Sequence, residues 1–305
     1  MSLSDISLNL YRKTVKRFRP AHVATHWLMT HGAIPALERV KHFQTMPDDP
    51  FWFRLELLTG RHERETTAQL DRLARPGMVM LDVGAHVGYY ACRYARTIGE
   101  NGRIYAFEPH PRIFARLRHN TRPFANVTPA PVALAGAPGT AVLHDYLIMS
   151  ASGSLHYDEA MVDLQKAGIG AGDVAPRLEE QFADQTYTVQ TIRADDYLDE
   201  QGVRRVDLIK MDIEGAELDA LRGLRQTIAR SPGVVMVMEY NPAALKAFGH
   251  APEAVLEEVL AMGFRRAQVI GPDGGLTDVT GNKTAVHHLT ARLGDHMGVV
   301  NVLFT

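Results

Sequence analysis

The stretch MVMLDVGAHVGYYACRYARTIGENGRIYAFEPHP, residues 78–111, decides the fold of this chain. Its first apolar run, 78–83, is rich in β-branched residues and ends in a turn that contains two glycines. A helical apolar pattern follows over 89–98, and after a glycine-flanked break a second apolar strand covers 103–107. Strand, helix and strand in this order predict a βαβ unit, because parallel strands need a helical crossover.

Acidic residues stand where the two strands of this unit end. Asp82 lies at the end of the first strand, just before the glycines of the turn, and Glu108 closes the second strand. Open α/β sheets bind their ligands at the carboxyl ends of the strands. Glycine lets the backbone approach a ligand closely, and a carboxylate in the position of Glu108 can accept both hydroxyls of an adenosine ribose. The sequence therefore predicts a nucleotide-type ligand at this edge.

The turn discriminates between two such ligands. A dinucleotide fingerprint reads G-x-G-x-x-G, whereas this turn reads Gly84-x-x-x-Gly88 behind Asp82. A carboxylate there would repel a pyrophosphate and attract the ammonium and sulfonium groups of S-adenosylmethionine (SAM). A tight turn with no ligand is the structural alternative for a pair of glycines.

A third acidic motif, DLIKMDIEGAE at 207–217, follows a later apolar strand. With DVGAHVGYY and FEPHP it resembles the three landmarks of the FkbM family of SAM-dependent O-methyltransferases, in matching order and spacing over roughly residues 60–270. The resemblance implies an α/β fold with a Rossmann-like, doubly wound, mostly parallel sheet of seven strands. It also implies SAM as cofactor and methyl transfer to a hydroxyl oxygen of a sugar, a glycolipid or a secondary metabolite.

The rest of the chain offers further elements for such a fold. Apolar runs and less regular strand-like patterns, one of them alternating over 186–192, predict strands at 127–134, 139–147, 186–192, 206–211, 234–240, 264–270 and 299–305. Amphipathic patterns predict helices at 63–74, 110–120 and 252–262. Residues 1–60 show helical patterns alone, so we expect an N-terminal helical extension over 1–60 and a methyltransferase domain over 61–305.

The resemblance places the cofactor in the first two landmarks and beside a serine-rich patch, SASGSL. We assign the turn to the methionine end of SAM, Glu108 to its ribose and Ser154 to the cleft beside it. The predicted cofactor contacts are Asp82, Gly84, Ala85, His86, Gly88, Tyr89, Glu108 and Ser154.

Methyl transfer is an in-line displacement, and it needs the acceptor oxygen about 3 Å from the methyl carbon. A nearby base helps, since a protonated hydroxyl is a poor nucleophile. Asp212 is our first candidate for this base and Glu239, which ends the following strand, is the second. The candidate substrate contacts are Glu214, Glu217, His156 and Tyr157. A helix-capping Glu217 with a solvated Glu214 and a structural Asp212 is the alternative.

Composition argues against nucleic-acid-binding, disulfide-linked, secreted and membrane-spanning proteins. The chain has 305 residues, 46% of them hydrophobic, a net charge of −2 and a pI near 6.7, so it offers no electrostatic pull towards nucleic acid. Its one cysteine, Cys92, cannot form an internal disulfide. An apolar run of about 18 residues and a signal-peptide core are both missing from the sequence, so we expect a cytoplasmic protein.

The N-terminal segment is basic. A helix predicted over 8–18 carries four basic residues, and a fifth follows it. Within this segment no acid occurs after Asp5. The five basic residues are Arg12, Lys13, Lys16, Arg17 and Arg19. A basic helix with an apolar face can lie on an anionic membrane. A solvated helix face or a contact between copies of the chain are the alternatives, and the second would make a homo-oligomer.

Three other functions compete with the methyltransferase. A nicotinamide-dependent oxidoreductase lacks its fingerprint here. A non-catalytic binding or scaffold protein would have no need of acids at three strand ends. A metal-assisted transferase could hold Mg²⁺ with oxygens of Asp212, Glu214 and Glu239, although we expect no resident metal.

Overall fold

A computed structural model describes five stretches of the chain: 19–145, 150, 153–155, 185–294 and 298–305. Two compact units meet in sequence after His62, one covering Met1–His62 and the other Glu63–Thr305. The helix expected over 8–18 and the candidate residues His156 and Tyr157 lie outside the described residues. Within the described stretches, none of the helices has the length and apolarity that crossing a lipid bilayer requires.

The first unit is helical. It contains α1 (Arg19–Leu28), a π-helical turn (Met29–Ala33), α2 (Ile34–Lys41) and α3 (Phe51–Thr59). Ile34, Phe51 and Leu58 form its buried core. Arg54 is also buried, and its guanidinium lies 3.1 Å from the Glu38 carboxylate. This pair leaves the buried charge with a partner, as a stable interior requires.

The second unit is built on two sheets. Its strands are β1 (Val79–Val83), β2 (Arg103–Phe107), β3 (Val127–Ala130), β4 (Val132–Leu134), β5 (Gly139–Asp145), β6 (Gln185–Ile192), β7 (Leu208–Met211), β8 (Val235–Tyr240), β9 (Ala267–Ile270), β10 (Leu276–Asp278) and β11 (Val300–Phe304). The main sheet has eight strands in the order β10-β9-β11-β8-β7-β1-β2-β3, and β4-β6-β5 form a small second sheet.

Helices connect these strands. They are α4 (Arg64–Leu73), α5 (Tyr89–Ile98), α6 (Pro111–Thr121), α7 (Ala194–Glu200), α8 (Glu217–Arg222), α9 (Arg225–Ala229), α10 (Pro242–Ala247), α11 (Pro252–Leu260) and α12 (Lys283–Gly294). The strands β3, β2, β1, β7 and β8 pair in parallel, and β11 pairs antiparallel with both β8 and β9. This arrangement confirms the predicted Rossmann-like α/β fold.

Two details of the sheets differ from the prediction. The main sheet has eight strands and not seven, because the short β10 folds back on β9 in antiparallel register. The single strand predicted over 127–134 is wrong: the chain changes sheets at Pro131, between β3 and β4. Proline has no N–H for a sheet ladder, so the strand ends there.

The helix α12 has no counterpart among the helices predicted from the sequence. Its signal is nevertheless present in the sequence. The residues Val286, Leu289, Thr290 and Leu293 are its buried face, at the i, i+3, i+4, i+7 spacing of an amphipathic helix.

The strand order decides where the site can form. The central strands β1, β7 and β8 are almost fully buried, so apolar burial at roughly 25 cal/mol per Å² holds them together. Because β2, β1, β7 and β8 are consecutive neighbours, their carboxyl ends lie side by side. Any side chains that follow these four strands are therefore brought to one edge.

Candidate active site

Each of the four neighbouring strands brings an acid to this edge. Asp82 lies in β1, Glu108 follows β2, Asp212 follows β7, and Glu239 lies in β8. These acids are far apart in the sequence, and the parallel topology brings them together. Apart from Ser154, the predicted cofactor residues thus occupy the β1 and β2 side of the edge, and the predicted catalytic residues occupy the β7 and β8 side.

The turn after β1 is packed tightly against the turn after β7. Gly84 has φ +80°, and a Cβ atom built there would lie 1.8 Å from the carbonyl oxygen of Asp212. Only glycine leaves room for that carbonyl and tolerates this conformation. The N–H groups of Gly84 and Ala85 both donate to the carbonyl of Phe107, at 3.1 and 2.9 Å, and this fixes the turn against the end of β2.

The remaining hydrogen bonds of this turn decide what it can bind. The N–H of His86 donates to Glu108 Oε2 at 3.0 Å, and that of Gly88 donates to the Ala85 carbonyl at 2.8 Å. A pyrophosphate cradle needs backbone N–H groups that point freely at the ligand. In this turn four of them are used internally, those of Gly84, Ala85, His86 and Gly88. The turn therefore does not suit a dinucleotide phosphate.

Asp82 is the acid at this edge whose carboxylate has the fewest hydrogen-bond partners. Its side chain is 1% exposed, and among the described residues neither carboxylate oxygen has a hydrogen-bond partner. Burial raises the pKa of Asp82 to about 7, although the nearby Lys210 opposes this. A buried carboxylate without a donor costs free energy until a donor arrives. The ammonium group of an amino-acid ligand is such a donor.

Glu108 lies at the end of β2 with both oxygens partly engaged. Oε1 accepts from the N–H of His110 at 2.8 Å, and Oε2 accepts from the N–H of His86 at 3.0 Å. Burial raises its pKa to about 7, against the effect of these donors. A carboxylate has about four acceptor sites, so each oxygen can still accept one ribose hydroxyl. The two backbone contacts fix the orientation that this requires.

The sequence prediction missed His110, which links β2 to the small sheet. Its Nδ1 accepts from the N–H of Arg112 and caps α6, and its Nε2 lies 2.9 Å from Asp145 Oδ2. The ring also packs 4.6 Å from that of Tyr187. Pro111 indicated a helix start, and so a capping residue at His110 could have been found. The Asp145 contact spans 35 residues and has no local signal.

Two serines approach the site from the segment that follows β5. His86 Nε2 pairs with Ser150 Oγ at 2.5 Å. Ser154 forms a backbone bridge with His144, and its hydroxyl donates to the carbonyl of Glu214 at 3.4 Å. The structure therefore places Ser154 beside the acidic turn after β7, while Ser150 is the serine that meets the turn after β1. Tyr89 begins α5 directly after that turn and is buried against Tyr90.

A buried lysine stands at the centre of the acids. Lys210 is 1% exposed, and its ammonium lies 3.2 Å from Asp212 Oδ2 and 4.0 Å from Glu63 Oε2. It also lies 5.6 Å from the centre of the Tyr90 ring. Burial alone would lower the Lys210 pKa, but the neighbouring acids, Asp212 first, raise it above its ordinary value. The site therefore contains a permanent positive charge of its own.

Glu63 is a second group that the sequence prediction missed. It accepts a hydrogen bond from the hydroxyl of Tyr90 at 2.7 Å. One oxygen each of Glu63, Asp212 and Glu239 lie within 4.8 Å of one another. Oxygen ligands of this kind suit Mg²⁺, but the Lys210 ammonium is already within 4.0 Å of two of these carboxylates. Charge compensation is thus available without a metal.

Two of the acids hold a proton more readily than ordinary carboxylic acids do. Burial, with the Asp212 charge next in importance, raises the pKa of Glu214 to about 8. The same two causes raise the pKa of Glu239 well above its usual value. Both groups therefore keep their protons to higher pH than ordinary carboxylic acids do, and in the protonated form each can donate a hydrogen bond. Asp212, by contrast, directly contacts Lys210 and has a side chain that is 27% exposed.

Glu217 has a different environment from the other acids. It is 1% exposed, and its Oε1 accepts from the N–H groups of Ile213 and Gly215 at 3.1 and 3.2 Å. Burial raises its pKa to about 7, while these backbone donors lower it. These contacts hold the turn that carries Glu214, whose own φ is +53°. Glu217 thus stabilises the turn through hydrogen bonds from its backbone N–H groups.

Asn301 extends the polar row by one strand. It lies directly opposite Glu239 in the antiparallel β8–β11 register, so the two side chains share a face of the sheet. Its Oδ1 is buried and has no hydrogen-bond partner among the described residues. A neutral Glu239 or a ligand hydroxyl could donate to it. Asn301 belongs to no sequence motif, and only the topology shows its relation to the site.

The fold and this edge define an α/β protein of the nucleotide-binding type with an acidic site beside its cofactor turn. The sequence profile of the methyltransferase FkbM domain matches residues 82–266, which include every acid of the edge except Glu63. The chain belongs to the FkbM methyltransferase family. The family uses SAM, and SAM is the cofactor.

Three curated relatives match over about half to three fifths of the chain. The hexuronic acid methyltransferase AglP of Haloferax volcanii is 26% identical over 55% of this chain and 59% of its own length. The 2-O-methyltransferase NoeI of Sinorhizobium fredii is 29% identical over 52% and 62%. The 31-O-demethyl-FK506 methyltransferase FkbM of Streptomyces tacrolimicus is 30% identical over 60% and 76%. The chain thus spans about three fifths of the length of the first two.

Proposed function

We propose that this protein is a SAM-dependent O-methyltransferase that methylates a hydroxyl of a sugar, a glycolipid or a secondary metabolite. The observation that carries the proposal is the unpaired carboxylate of Asp82, buried beside the Gly84 turn in the row of acids. Membership of the FkbM family supports methyl transfer. The names of the relatives, which speak of a hexuronic acid, of 2-O and of 31-O-demethyl-FK506, support oxygen as the acceptor atom.

The residues at the β1 and β2 ends fit the cofactor. Asp82 would take the ammonium of its methionine part, and Glu108 would accept the ribose hydroxyls with the lone pairs that His86 and His110 leave open. Gly84 keeps the turn low enough for a ligand to pass over it. When bound, SAM supplies a methyl group on a positively charged sulfur, which an oxygen nucleophile can attack.

The residues at the β7 and β8 ends would prepare that nucleophile. Asp212 would take the proton from the acceptor hydroxyl, which leaves that oxygen a better nucleophile. Of the candidate acids it suits this role best, because it is partly exposed and Glu239 and Glu214 retain their own protons. Lys210 lies against Asp212 and holds the carboxylate in place.

The same groups favour an acceptor with several hydroxyls. A hydroxyl both donates and accepts hydrogen bonds, so a polyol needs a wall that offers both kinds of partner. The neutral forms of Glu214 and Glu239 supply donors, and Asp212 and Asn301 Oδ1 supply acceptors. We therefore keep Glu214 as a candidate hydroxyl contact, and we leave out Glu217 because its carboxylate is occupied by the turn.

Calorimetric titration with SAM and, separately, with NADH tests the cofactor. We expect SAM to bind in the micromolar range and NADH to give no response. Asp82→Asn should weaken SAM binding, whereas Asp273→Asn, which changes an acid in a surface turn, should not. NADH binding would favour the oxidoreductase.

A screen with SAM labelled in its methyl group tests the reaction. Sugars, glycolipids and hydroxylated metabolites are offered, and label is sought in the product. We expect activity to survive a strong chelator, because Lys210 already offsets part of the charge of Asp212 and Glu63. Loss of activity on chelation, restored by Mg²⁺, would favour the metal-assisted reaction. SAM binding without transfer to any hydroxyl acceptor would favour a scaffold protein.

A further inference from the structure

The helix α1 turns an apolar face to solvent. Val23 is 56% exposed, Trp27 62% and Leu28 60%, and Pro20 and Ala24 are exposed beside them. The spacing of these five residues places them along one side of the helix. The same helix contributes His26 to the interior of the first unit, edge-on to the Phe51 ring at 5.9 Å. We call the exposed side, Pro20, Val23, Ala24, Trp27 and Leu28, the α1 face.

Such a face is unusual for a water-exposed helix. Single exposed apolar residues are common, whereas contiguous ones mark sites of interaction. Pro20, Val23, Ala24 and Trp27 also line a shallow depression together. Tryptophan is an amphipathic side chain that is enriched where an apolar phase meets water. The α1 face therefore has the composition of an interfacial helix.

The sequence around this face carries positive charge. Between Asp5 and Glu38 the chain contains no acid, although the whole protein has a net charge of −2. That interval holds five permanent cations, Arg12, Lys13, Lys16, Arg17 and Arg19. Each basic residue near an anionic bilayer contributes about 1 kcal/mol of attraction. Apolar exposure and acid-free basic sequence are independent observations, and they point to the same partner.

We propose that the α1 face docks this protein onto anionic lipid bilayers. A second copy of the chain fits less well, because it would offer the same acid-free basic sequence and so no negative charge to pair with these cations. A nucleic acid would meet the basic segment, but it would leave Val23 and Trp27 against water. The proposal concerns the first unit alone and does not depend on the methyl-transfer reaction.

Tryptophan fluorescence offers a direct test, because the chain has only two tryptophans. Trp52 packs against the core of the first unit, so Trp52→Phe leaves Trp27 as the reporter. Vesicles of phosphatidylcholine alone are compared with vesicles that also contain phosphatidylglycerol. We expect a blue shift of Trp27 emission and co-sedimentation with the anionic vesicles only, both reversed by high salt. Co-sedimentation of the unaltered chain gives the same answer if Trp52→Phe folds poorly.

A pair of variants distinguishes binding through the α1 face from nonspecific adsorption through any exposed apolar side chain. Val23→Ser with Trp27→Ser should lower the fraction bound to anionic vesicles at least about tenfold, since both side chains would leave the bilayer. Val142→Ser removes an apolar side chain of similar exposure, 48%, from the second unit and should change nothing. Circular dichroism confirms that each variant is folded.

Four results would overturn the proposal. The first is no binding to anionic vesicles, and the second is equal binding to both kinds of vesicle. The third is a blue shift that follows protein concentration without vesicles, which would identify a second copy as the partner. Binding that persists in the Val23→Ser and Trp27→Ser variant would remove the α1 face from the explanation and overturn the proposal as well.

Discussion

The ammonium of Lys210 lies 3.2 Å from the carboxylate of Asp212, two positions further along the chain. The strand register also puts Lys210 beside Asp82 on β1, so the lysine lies between the proposed cofactor residues and the proposed acceptor residues. A fully buried ammonium needs compensating charge, and the acids on both sides supply it. One cation thus offsets part of the free-energy cost of gathering several carboxylates at a buried edge.

Removing this cation should destabilise the protein. Lys210→Met leaves Asp212 and Glu63 without their shared partner, so we expect a loss of about 3 kcal/mol of unfolding free energy. The estimate is at the low end for buried pairs because Asp212 is partly exposed. Arg205→Met breaks the exposed pair with Asp207 and should cost less than about 1 kcal/mol. Urea denaturation measures both; equal losses would contradict the central role of Lys210.

The cofactor assignment predicts a loss of affinity at Glu108. Glu108→Gln keeps the shape but replaces one acceptor oxygen by a donor, which meets the N–H of His86 or His110. Hydrogen bonds to charged groups contribute about 1.5–3 kcal/mol, so the Kd for SAM should rise about 10- to 100-fold. Turnover at saturating SAM should fall less. A variant that binds SAM normally but turns over slowly would remove Glu108 from the ribose.

A comparison of two glycines separates the cost of the close contact between the turns from the cost of the backbone conformation. Both glycines have nearly the same positive φ, but only one of them lies at the contact. Gly77 has φ +81° and open space around it, whereas Gly84 has φ +80° and faces the Asp212 carbonyl. Gly77→Ala should cost about 1 kcal/mol, from backbone strain alone. Gly84→Ala should cost several kcal/mol and abolish SAM binding, because the two turns must separate. Thermal melts and SAM titration of the pair measure the difference; equal melting temperatures would contradict the contact.

Because of the buried acids, we expect the free energy of unfolding to decrease as the pH rises. The pKa values of Asp82, Glu108 and Glu217 are raised to about 7 and that of Glu214 to about 8. The folded state then keeps protons that the unfolded chain releases near pH 4. Unfolding free energy should therefore decrease from about pH 4 to about pH 8, by up to about 1.4 kcal/mol per pH unit for each group.

Melting temperatures between about pH 5.5 and 8 test this sign. Asp82→Asn should flatten the decrease, because asparagine has no proton to release. Asp273→Asn, in an exposed turn, serves as the control and should keep the full slope. A melting temperature that rises over this interval would mean that the acids are ionised and paired in the folded protein.

The choice of base can be tested once an acceptor is known. Asp212→Asn should lower kcat by about 10² to 10⁴ with little change in SAM affinity, since a base acts only in the transition state. Glu239→Gln imitates the neutral acid that burial already favours, so its effect should be under about tenfold. The opposite order would identify Glu239 as the base.

The sequence sufficed for the class of fold and for the acids that end strands β1, β2, β7 and β8, because both leave local signals. Asp82, Glu108 and Asp212 each follow an apolar run, and parallel strands bring such positions to one edge. Glu63 and Asn301 carry no such signal. The first precedes a helix, the second lies in the last strand, and only three-dimensional pairing brings them to Tyr90 and Glu239.

The sequence decided less where local patterns are ambiguous, and the strand predicted over 127–134 was wrong for this reason. The run 127–134 is continuously apolar, and its division at Pro131 between two sheets depends on which neighbours each half finds. Glu217 stands at a helix start, where solvated and buried acids look alike in sequence. Its burial becomes visible only when the N–H groups of Ile213 and Gly215 are seen to converge on it.

The contact between Gly84 and the Asp212 carbonyl couples the turn after β1 to the turn after β7. Two turns that touch cannot change independently, so a substitution that reshapes one also moves the other. A change in the hydroxyl that the proposed enzyme accepts would then have to come from residues beside these turns, such as Asn301 on β11 and Ser154. A rigid centre with variable surroundings would let one methyl donor serve different acceptors.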